Sequence, residues 1–321
     1  MFKNLKILFF LTLTTSANAQ IKVWFDTDLM IGMPDKRPRE VDDGITLIMA
    51  LKQPSIKIVG ISSITYVDYS YNVIEKIVKW HNKGIAIPVY KGSAFANDLG
   101  TENDATKALY KALQKEKLTI LALGPLTNIA TLIKNHPEIC SQIERIAICA
   151  ARTPNLAFNP GNGKLNLFDY NYEFDEKAMD VLLNSAVKLE FAGYEPSSYT
   201  HIGAIDLASL DLSLEADKWL FEVVQPWMEV NERAFGMRGF IPFDCSTLGL
   251  ITHPEYFSYL ENISIKVVYK KNDALKVQPN KPFKNFLEVS YDFKTNKKVK
   301  YAQRALQGFE EKILETLSVK K

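Results

Sequence analysis

The chain has only three cysteines in 321 residues, Cys140, Cys149 and Cys245. They are too few and too odd in number for a disulfide framework. One bridge can form in an oxidising compartment, and the sequence does not choose the pair. No CxxC or Cys/His spacing suggests zinc. The four histidines, His81, His136, His201 and His253, are scattered in polar or helix-edge contexts and carry no evident chemistry. Three nucleotide and hydrolase signatures are missing as well. There is no GxGxxG after the first strand, no GxxxxGK[ST] and no GxSxG, which argues against a dinucleotide enzyme, a P-loop protein and a serine hydrolase. No internal repeat, low-complexity tract or linker divides the chain.

An apolar run long enough to span a membrane is also lacking. Residues 7–13 are apolar but too short. Lys3 and Lys6 precede them, and Ala17-Asn18-Ala19 follows. This is the pattern of a secretory signal peptide cut after Ala19. The expected organisation is a leader over 1–19 and one domain over 20–321, exported to the periplasm or beyond the cell. Losing the leader removes two lysines and no acid, so the 39 basic residues come down to match the 37 acidic ones. A neutral mature chain offers no electrostatic case for binding a nucleic acid polymer. Its length suffices for one large α/β domain with a substantial core. Self-association is left open.

What is present centres on residues 21–51. Ile21-Lys22-Val23-Trp24-Phe25 reads as a buried strand, and Asp26 and Asp28 stand at its end. A thirteen-residue polar loop follows, then Asp42 and Asp43, then the apolar run 45–51. That run suits a helix whose first turn carries both acids, where the helix dipole favours negative charge. Four carboxylates at one strand end repel one another. A hard divalent ion with oxygen ligands, calcium above all, relieves that repulsion.

Further apolar strands are expected at 56–64, 85–90, 118–123, 143–150 and 187–192. Helical spacing lies between them, around 71–78, 105–114, 129–134 and 173–184. Continuous apolar strands alternating with helices predict a mostly parallel sheet covered on both faces, with ligands beyond the strands' carboxyl ends. Residues 206–235 read as largely helical, and another helix opens at Pro242-Phe243-Asp244. Residues 263–269 and 286–293 read as an antiparallel hairpin, and 302–318 as an amphipathic terminal helix.

Strand, Asp-Thr-Asp, loop, Asp-Asp and helix resemble the opening of the inosine-uridine-preferring nucleoside hydrolases, whose usual loop is about ten residues shorter. Gly124-Pro125-Leu126-Thr127-Asn128 is similar to the family's strand-turn-helix segment. Asp169-Tyr170-Asn171 resembles its Glu-Phe-Asn stretch, with aspartate in place of glutamate. Phe243-Asp244 stands where the family reads His-Asp. The resemblance covers about residues 21–255 and implies a single-domain, Rossmann-like nucleoside hydrolase fold. It implies calcium held by Asp28, Asp43, the Leu123 carbonyl and Asp244. Asp28 would be the catalytic base, and Asp42, Asp169 and Asn171 would grip the ribose hydroxyls. Asn162 stands about one residue from the place of an upstream ribose-binding asparagine, and Asp68 stands where many members have a ribose-contacting asparagine. Asp26 would support the cluster from behind.

The implied reaction is calcium-dependent hydrolysis of the N-glycosidic bond of a small nucleoside, through an oxocarbenium-like transition state. Phe243 cannot donate a proton to a leaving base, and no other residue is assigned that step. Two alternatives therefore stay open. One is a secreted nucleoside- or sugar-binding protein without turnover. The other is a hydrolase of a different N-riboside such as nicotinamide riboside, whose positively charged base departs without a proton.

Overall fold

Residues 20–317 apart from 36, 83 and 85 are described by a computed structural model; the expected leader over 1–19 lies outside them. The run expected at 21–25 is strand β1, Ile21–Thr27. Val23 and Phe25 pack on one face of the sheet and Trp24 on the other. Both faces are apolar because both are covered, which is why this strand shows no polar alternation.

Helix α1 (Asp42–Lys52) leads to β2 (Ile56–Ser63), and α2 (Val67–His81) to β3 (Val89–Lys91). The third strand is thus shorter and later than the expected 85–90. Helix α3 (Asp104–Leu113) precedes β4 (Leu118–Ala122), and α4 (Thr127–Asn135) precedes β5 (Ile143–Ile148). The helix expected at 173–184 is two, α5 (Tyr170–Phe174) and α6 (Glu176–Leu183). Asp175 separates them and caps the second through the Ala178 N–H at 3.0 Å. β6 (Leu189–Phe191), α7 (Tyr194–Ser197), α8 (Glu215–Phe235) and α9 (Phe243–Thr252) follow.

These six strands are parallel and lie in the order β3-β2-β1-β4-β5-β6. Helices α1, α2, α8 and α9 pack on one face, through residues such as Ile45, Ile74, Val224 and Leu248. Helices α3, α4 and α6 cover the other, through Leu109, Ile129 and Leu182. The chain winds outward from β1 to β3 and then returns to β4 on the opposite side. The strand order reverses there, opening a crevice beyond the carboxyl ends of β1 and β4.

The antiparallel hairpin is β7 (Phe257–Lys271) with β8 (Phe283–Ser290). Residues 302–318 do not form one helix. Lys298–Ala305 is strand β9, inserted parallel to β6 and antiparallel to β7, and only Phe309–Leu317 is helical, α10. Ala302, Ala305, Phe309 and Ile313 are all buried at spacings that imitate a helical stripe. Pairing of β9 with β7 slips between Ser258 and Tyr259 and again between Leu260 and Ile263. Those irregularities remove the alternation that marks a strand in sequence. Among the described residues nine strands form one sheet, and no helix is long and apolar enough to cross a membrane. All three cysteines are free thiols.

Candidate active site

The end of β1 distributes its polar residues by side. Asp26 follows Trp24 onto the α3/α4 face and is fully buried. Its Oδ1 accepts from Asn128 Nδ2 of α4 at 2.9 Å and from the Ser62 hydroxyl of β2. That hydroxyl in turn accepts from Trp24 Nε1 at 2.8 Å. Asp26 is therefore a strut joining β1, β2 and α4, behind the crevice rather than in it. Burial pushes its carboxyl up to about 6 against the pull of the two hydrogen bonds. Thr27 faces α1, where its hydroxyl donates to Asp43. Asp28 enters the crevice itself. A side chain at position 124 would come within 2.9 Å of Asp28 Oδ1, so Gly124, just after β4, leaves this carboxylate its room.

Helices α1 and α9 aim their N-termini at the same point. Asp42 and Asp43 open the first, and Asp244 lies in the first turn of the second. Helix N-termini present unpaired N–H groups and a positive dipole end. Accordingly, Asp42 accepts from the backbone N–H groups of Phe243 and Asp244. One carboxylate oxygen from each of Asp42, Asp43 and Asp244 lies within 4.8 Å of the others. All three, with Asp28, are buried. Burial first, then repulsion from Asp43, pushes Asp28 and Asp244 well above the usual carboxylate range. Burial raises Asp42 to about 6, and burial with repulsion from Asp42 raises Asp43 to about 7.

Among the described residues no lysine or arginine is placed to neutralise this group: the charges acting on Asp28 and Asp244 are almost all other acids. Hard oxygen donors so close, buried and mutually repelling fit a divalent cation. The residue carrying the one backbone carbonyl expected to join them, Leu123, lines the same cavity.

The opposite wall comes from the segment after β5. Asp169 caps α5, its Oδ1 accepting from the Tyr172 N–H at 3.2 Å. Its Oδ2 accepts from the Ala151 N–H at 2.8 Å. Ala151 has φ +73°, a conformation uncommon for a residue with a Cβ, and this bond helps to hold it. Asn171 Nδ2 donates to the carbonyls of Leu123 at 2.7 Å and Cys149 at 3.0 Å, which leaves its Oδ1 available to a ligand. The remaining wall is aromatic. Phe158 stacks on Tyr194 at 4.9 Å, and Phe243 is tilted against Tyr194 at 6.1 Å.

These walls enclose one open cavity at the carboxyl ends of the strands. It brings together Asp28, Asp42, Asp43, Leu123, Asp169, Asn171 and Asp244. It does not include Asp68 or Asn162. Asp68 sits in the first turn of α2 with its carboxylate in solvent, 2.7 Å from Lys91 Nζ. Asn162 belongs to an exposed turn, its N–H donating to the Phe235 carbonyl at 2.7 Å and its Oδ1 accepting from the Lys164 N–H at 3.1 Å.

Residues that sequence reasoning did not single out also line the cavity. Glu40, Cys149, Tyr170 and Tyr194 are among them. Tyr170 lies between two expected contacts, and Cys149 and Tyr194 follow β5 and β6, so the strand-end rule could have found all three. Glu40 could not be found that way, because it belongs to the long first loop. That loop tucks Leu29 and Ile31 into the core, and Tyr69 OH donates to the Ile31 carbonyl at 2.9 Å. Gly32, at φ +72°, turns against Val223 and Trp219. Further on, Arg39 pairs with Asp35 and lies 5.3 Å over the Tyr66 ring. Glu40 is thereby held at the cavity mouth. It also lines an adjoining recess beside Phe243, Trp227 and Asn231. Arg233 and Arg238, near in sequence to Phe243, are exposed and paired with Glu229 and Glu232.

Comparison with known proteins gives a consistent result. The sequence model of the inosine-uridine preferring nucleoside hydrolase family matches residues 23–282. A probable uridine nucleosidase 1 of Oryza sativa subsp. japonica is 23% identical over 254 residues, 70% of this chain and 77% of that protein. The pyrimidine-specific ribonucleoside hydrolase RihA of Salmonella schwarzengrund is 25% identical over 233 residues, covering 71% and 70%. In fold, the chain is similar to a purine-preferring ribonucleoside hydrolase from Gardnerella vaginalis. The TM-score is 0.70 at 19% identity, covering 92% of this chain and 98% of that one.

Proposed function

The chain belongs to the inosine-uridine preferring nucleoside hydrolase family, and on that premise we propose that it hydrolyses ribonucleosides to base and ribose with calcium as its cofactor. The observation that carries this reading is the convergence of Asp28, Asp42, Asp43, Asp244 and Leu123 on one side of a cavity that has Asp169 and Asn171 on the other. In the proposal Asp28, Asp43, Asp244 and the Leu123 carbonyl hold the cation. When bound, calcium polarises a water molecule and offsets the repulsion among the carboxylates.

The remaining work falls to the chain. Asp28 takes the proton of the attacking water. Asp42 accepts from a ribose hydroxyl while the α9 N-terminus fixes its orientation. Asp169 already accepts two backbone N–H groups, which lock its rotamer and leave lone pairs for a second hydroxyl. Asn171 offers its free Oδ1. As the C1′–N bond stretches, positive charge develops on the ribose ring, and the surrounding carboxylates stabilise it. The aromatic wall receives the base and keeps bulk water from it. Asp26 transmits the position of β2 and α4 to the end of β1 and touches no substrate.

Export belongs to the same proposal, since the leader expected over 1–19 would place the enzyme in the periplasm or outside the cell. N-terminal sequencing that begins at Gln20 would support it, and an intact Met1 in the mature protein would refute it. The activity is tested by incubating the calcium-loaded chain with a nucleoside panel and separating products by chromatography. Release of free base is the expected result. Saturable nucleoside binding without release would leave a binding protein on a hydrolase fold.

A further inference from the structure

We propose that Arg152, which lies outside the cavity, is a positioning residue for the base: its buried guanidinium, fixed by the turn between β7 and β8, holds Phe158 against Tyr194 and so shapes the aromatic wall. The proposal rests on the hydrolase reading above, in which that wall receives the base.

The geometry is a series of flat groups in contact. The Arg152 guanidinium carbon lies 4.0 Å from the centre of the Phe158 ring and 4.9 Å from that of Phe286. A cation over aromatic faces is attracted by their quadrupoles. Phe158 stacks in turn on Tyr194, with centroids 4.9 Å apart and planes 17° from parallel. Tyr194 is tilted against Phe243. The series thus runs from β8 to the start of α9. Phe158, Tyr194 and Phe243 line the cavity, and Arg152 and Phe286 stand behind them.

Backbone and side-chain bonds fix Arg152 in this place. Its N–H donates to the Leu287 carbonyl at 3.1 Å, and its own carbonyl accepts from the Val289 N–H at 2.9 Å, so the residue extends the sheet beside β8. Its Nη1 donates to the Leu156 carbonyl at 2.9 Å and to Asp273 Oδ2 at 2.6 Å. Leu156 lies two residues before Phe158, and Asp273 belongs to the turn between β7 and β8. The same turn reaches the segment beyond Phe158. The Asp273 carbonyl accepts from Asn166 Nδ2 at 2.8 Å, and Lys276 Nζ donates to the Lys164 carbonyl at 2.6 Å. Phe158 is therefore gripped on both sides along the chain.

A guanidinium only 1% exposed is costly to bury, and an apolar side chain would pack there more cheaply. It would not combine a flat cationic face with bonds directed at Leu156 and Asp273. Among the described residues nothing accepts from its buried Nη2, so the stacked face is used more fully than the donors are. Its charge has a second target. Burial raises the Asp169 carboxyl to about 6, and the Ala151 N–H and then Arg152 pull it back. A lysine at 152 keeps that charge and loses the flat face, which separates the two effects.

The test uses the calcium-loaded full chain and whichever of uridine, inosine and nicotinamide riboside it cleaves fastest. Free ribose serves as a competitive inhibitor that occupies the carboxylate side alone. In Arg152→Lys the KM should rise about threefold to tenfold, the worth of one aromatic contact, and by more than kcat falls. The ribose inhibition constant should stay within about twofold. Asp273→Asn, which loosens the guanidinium but leaves it in place, should raise KM by a smaller factor, and it carries the same comparison if Arg152→Lys fails to fold. In a Phe158→Ala background Arg152→Lys should change KM by less than about twofold, because its effect passes through Phe158. Equal weakening of ribose and nucleoside, or an undiminished effect without Phe158, would make Arg152 a general support of the fold and overturn the proposal. An unchanged KM in both single variants overturns it too and leaves the hydrolase reading standing; base release from no substrate overturns both.

Discussion

Removing the cation should destabilise the chain in a way that depends on pH, and the buried acids set the sign. Asp42 and Asp43 ionise at about 6 and about 7 in the folded chain, against 3.8 for a free aspartate. Between those limits the cation-free folded state binds more protons than the unfolded state. Stability is therefore fully present below the unfolded value and is lost as pH rises through the folded values. With about 1.4 kcal/mol per pKa unit, the Asp43 carboxyl alone corresponds to a loss on the order of 4 kcal/mol across the window. Calcium binds the ionised carboxylates and competes with protons. Held at about a hundred times its dissociation constant, it restores about 2.7 kcal/mol at high pH and little at low pH. For a chain of this size each kcal/mol moves Tm by about 2 °C or somewhat more. Thermal melts followed by circular dichroism, with calcium or with a chelator, should then show a calcium shift of about 5 °C near pH 8 that shrinks toward pH 5. In Asp43→Asn the chelated protein should melt higher than wild type and the calcium shift should disappear. A calcium shift equal at both pH values, or one that survives in Asp43→Asn, would refute the assignment of these acids to a cation.

Three further outcomes follow from the same geometry. Asp28→Asn should reduce base release by a factor of about 10² to 10⁴ without lowering the Tm of the chelated protein, because it removes a repelled charge; steady-state kinetics beside a melt checks both. Gly193→Ala places a Cβ 1.9 Å from the Ala151 carbonyl oxygen, so the strained segment held by Asp169 must move. Urea unfolding should show a loss of about 1–3 kcal/mol, and an unchanged midpoint would contradict the packing. Thiol titration with dithionitrobenzoate should leave Cys245 unreactive in the native chain, since burial pushes its thiol up to about 12. Denatured without reductant, the protein should show three thiols.

The carboxylate side of the site was legible because its parts are local. Asp28, Asp43 and Asp244 each sit at a strand end or a helix start, and the topology of a parallel sheet brings such positions to one edge. The direction of a side chain is another matter. Asp68 also follows a strand, yet the first turn of α2 points its carboxylate to solvent, where Lys91 meets it. Asn162 lies in a loop whose path is set by its closure on α8, which no local signal encodes. Glu40 became part of the cavity only because a long insertion folds back through Gly32 and Tyr69. Phe243, by contrast, was legible as a departure, and the aromatic wall of Phe158 and Tyr194 around it gives that departure its chemical meaning. In the fold, β9 was hidden by the slipped pairing that erases its alternation, while β1 and β4 were plain because both faces of the sheet are buried.

We propose that hydrolysis of the N-riboside bond depends on a cation held by these carboxylates. Its most direct measurement is free ribose released from uridine and nicotinamide riboside by the protein as purified, after exhaustive chelation, and after calcium is added back. Chelation should abolish release, and calcium should restore it in proportion to occupied sites. Ribose release that continues undiminished in the chelated protein would contradict it.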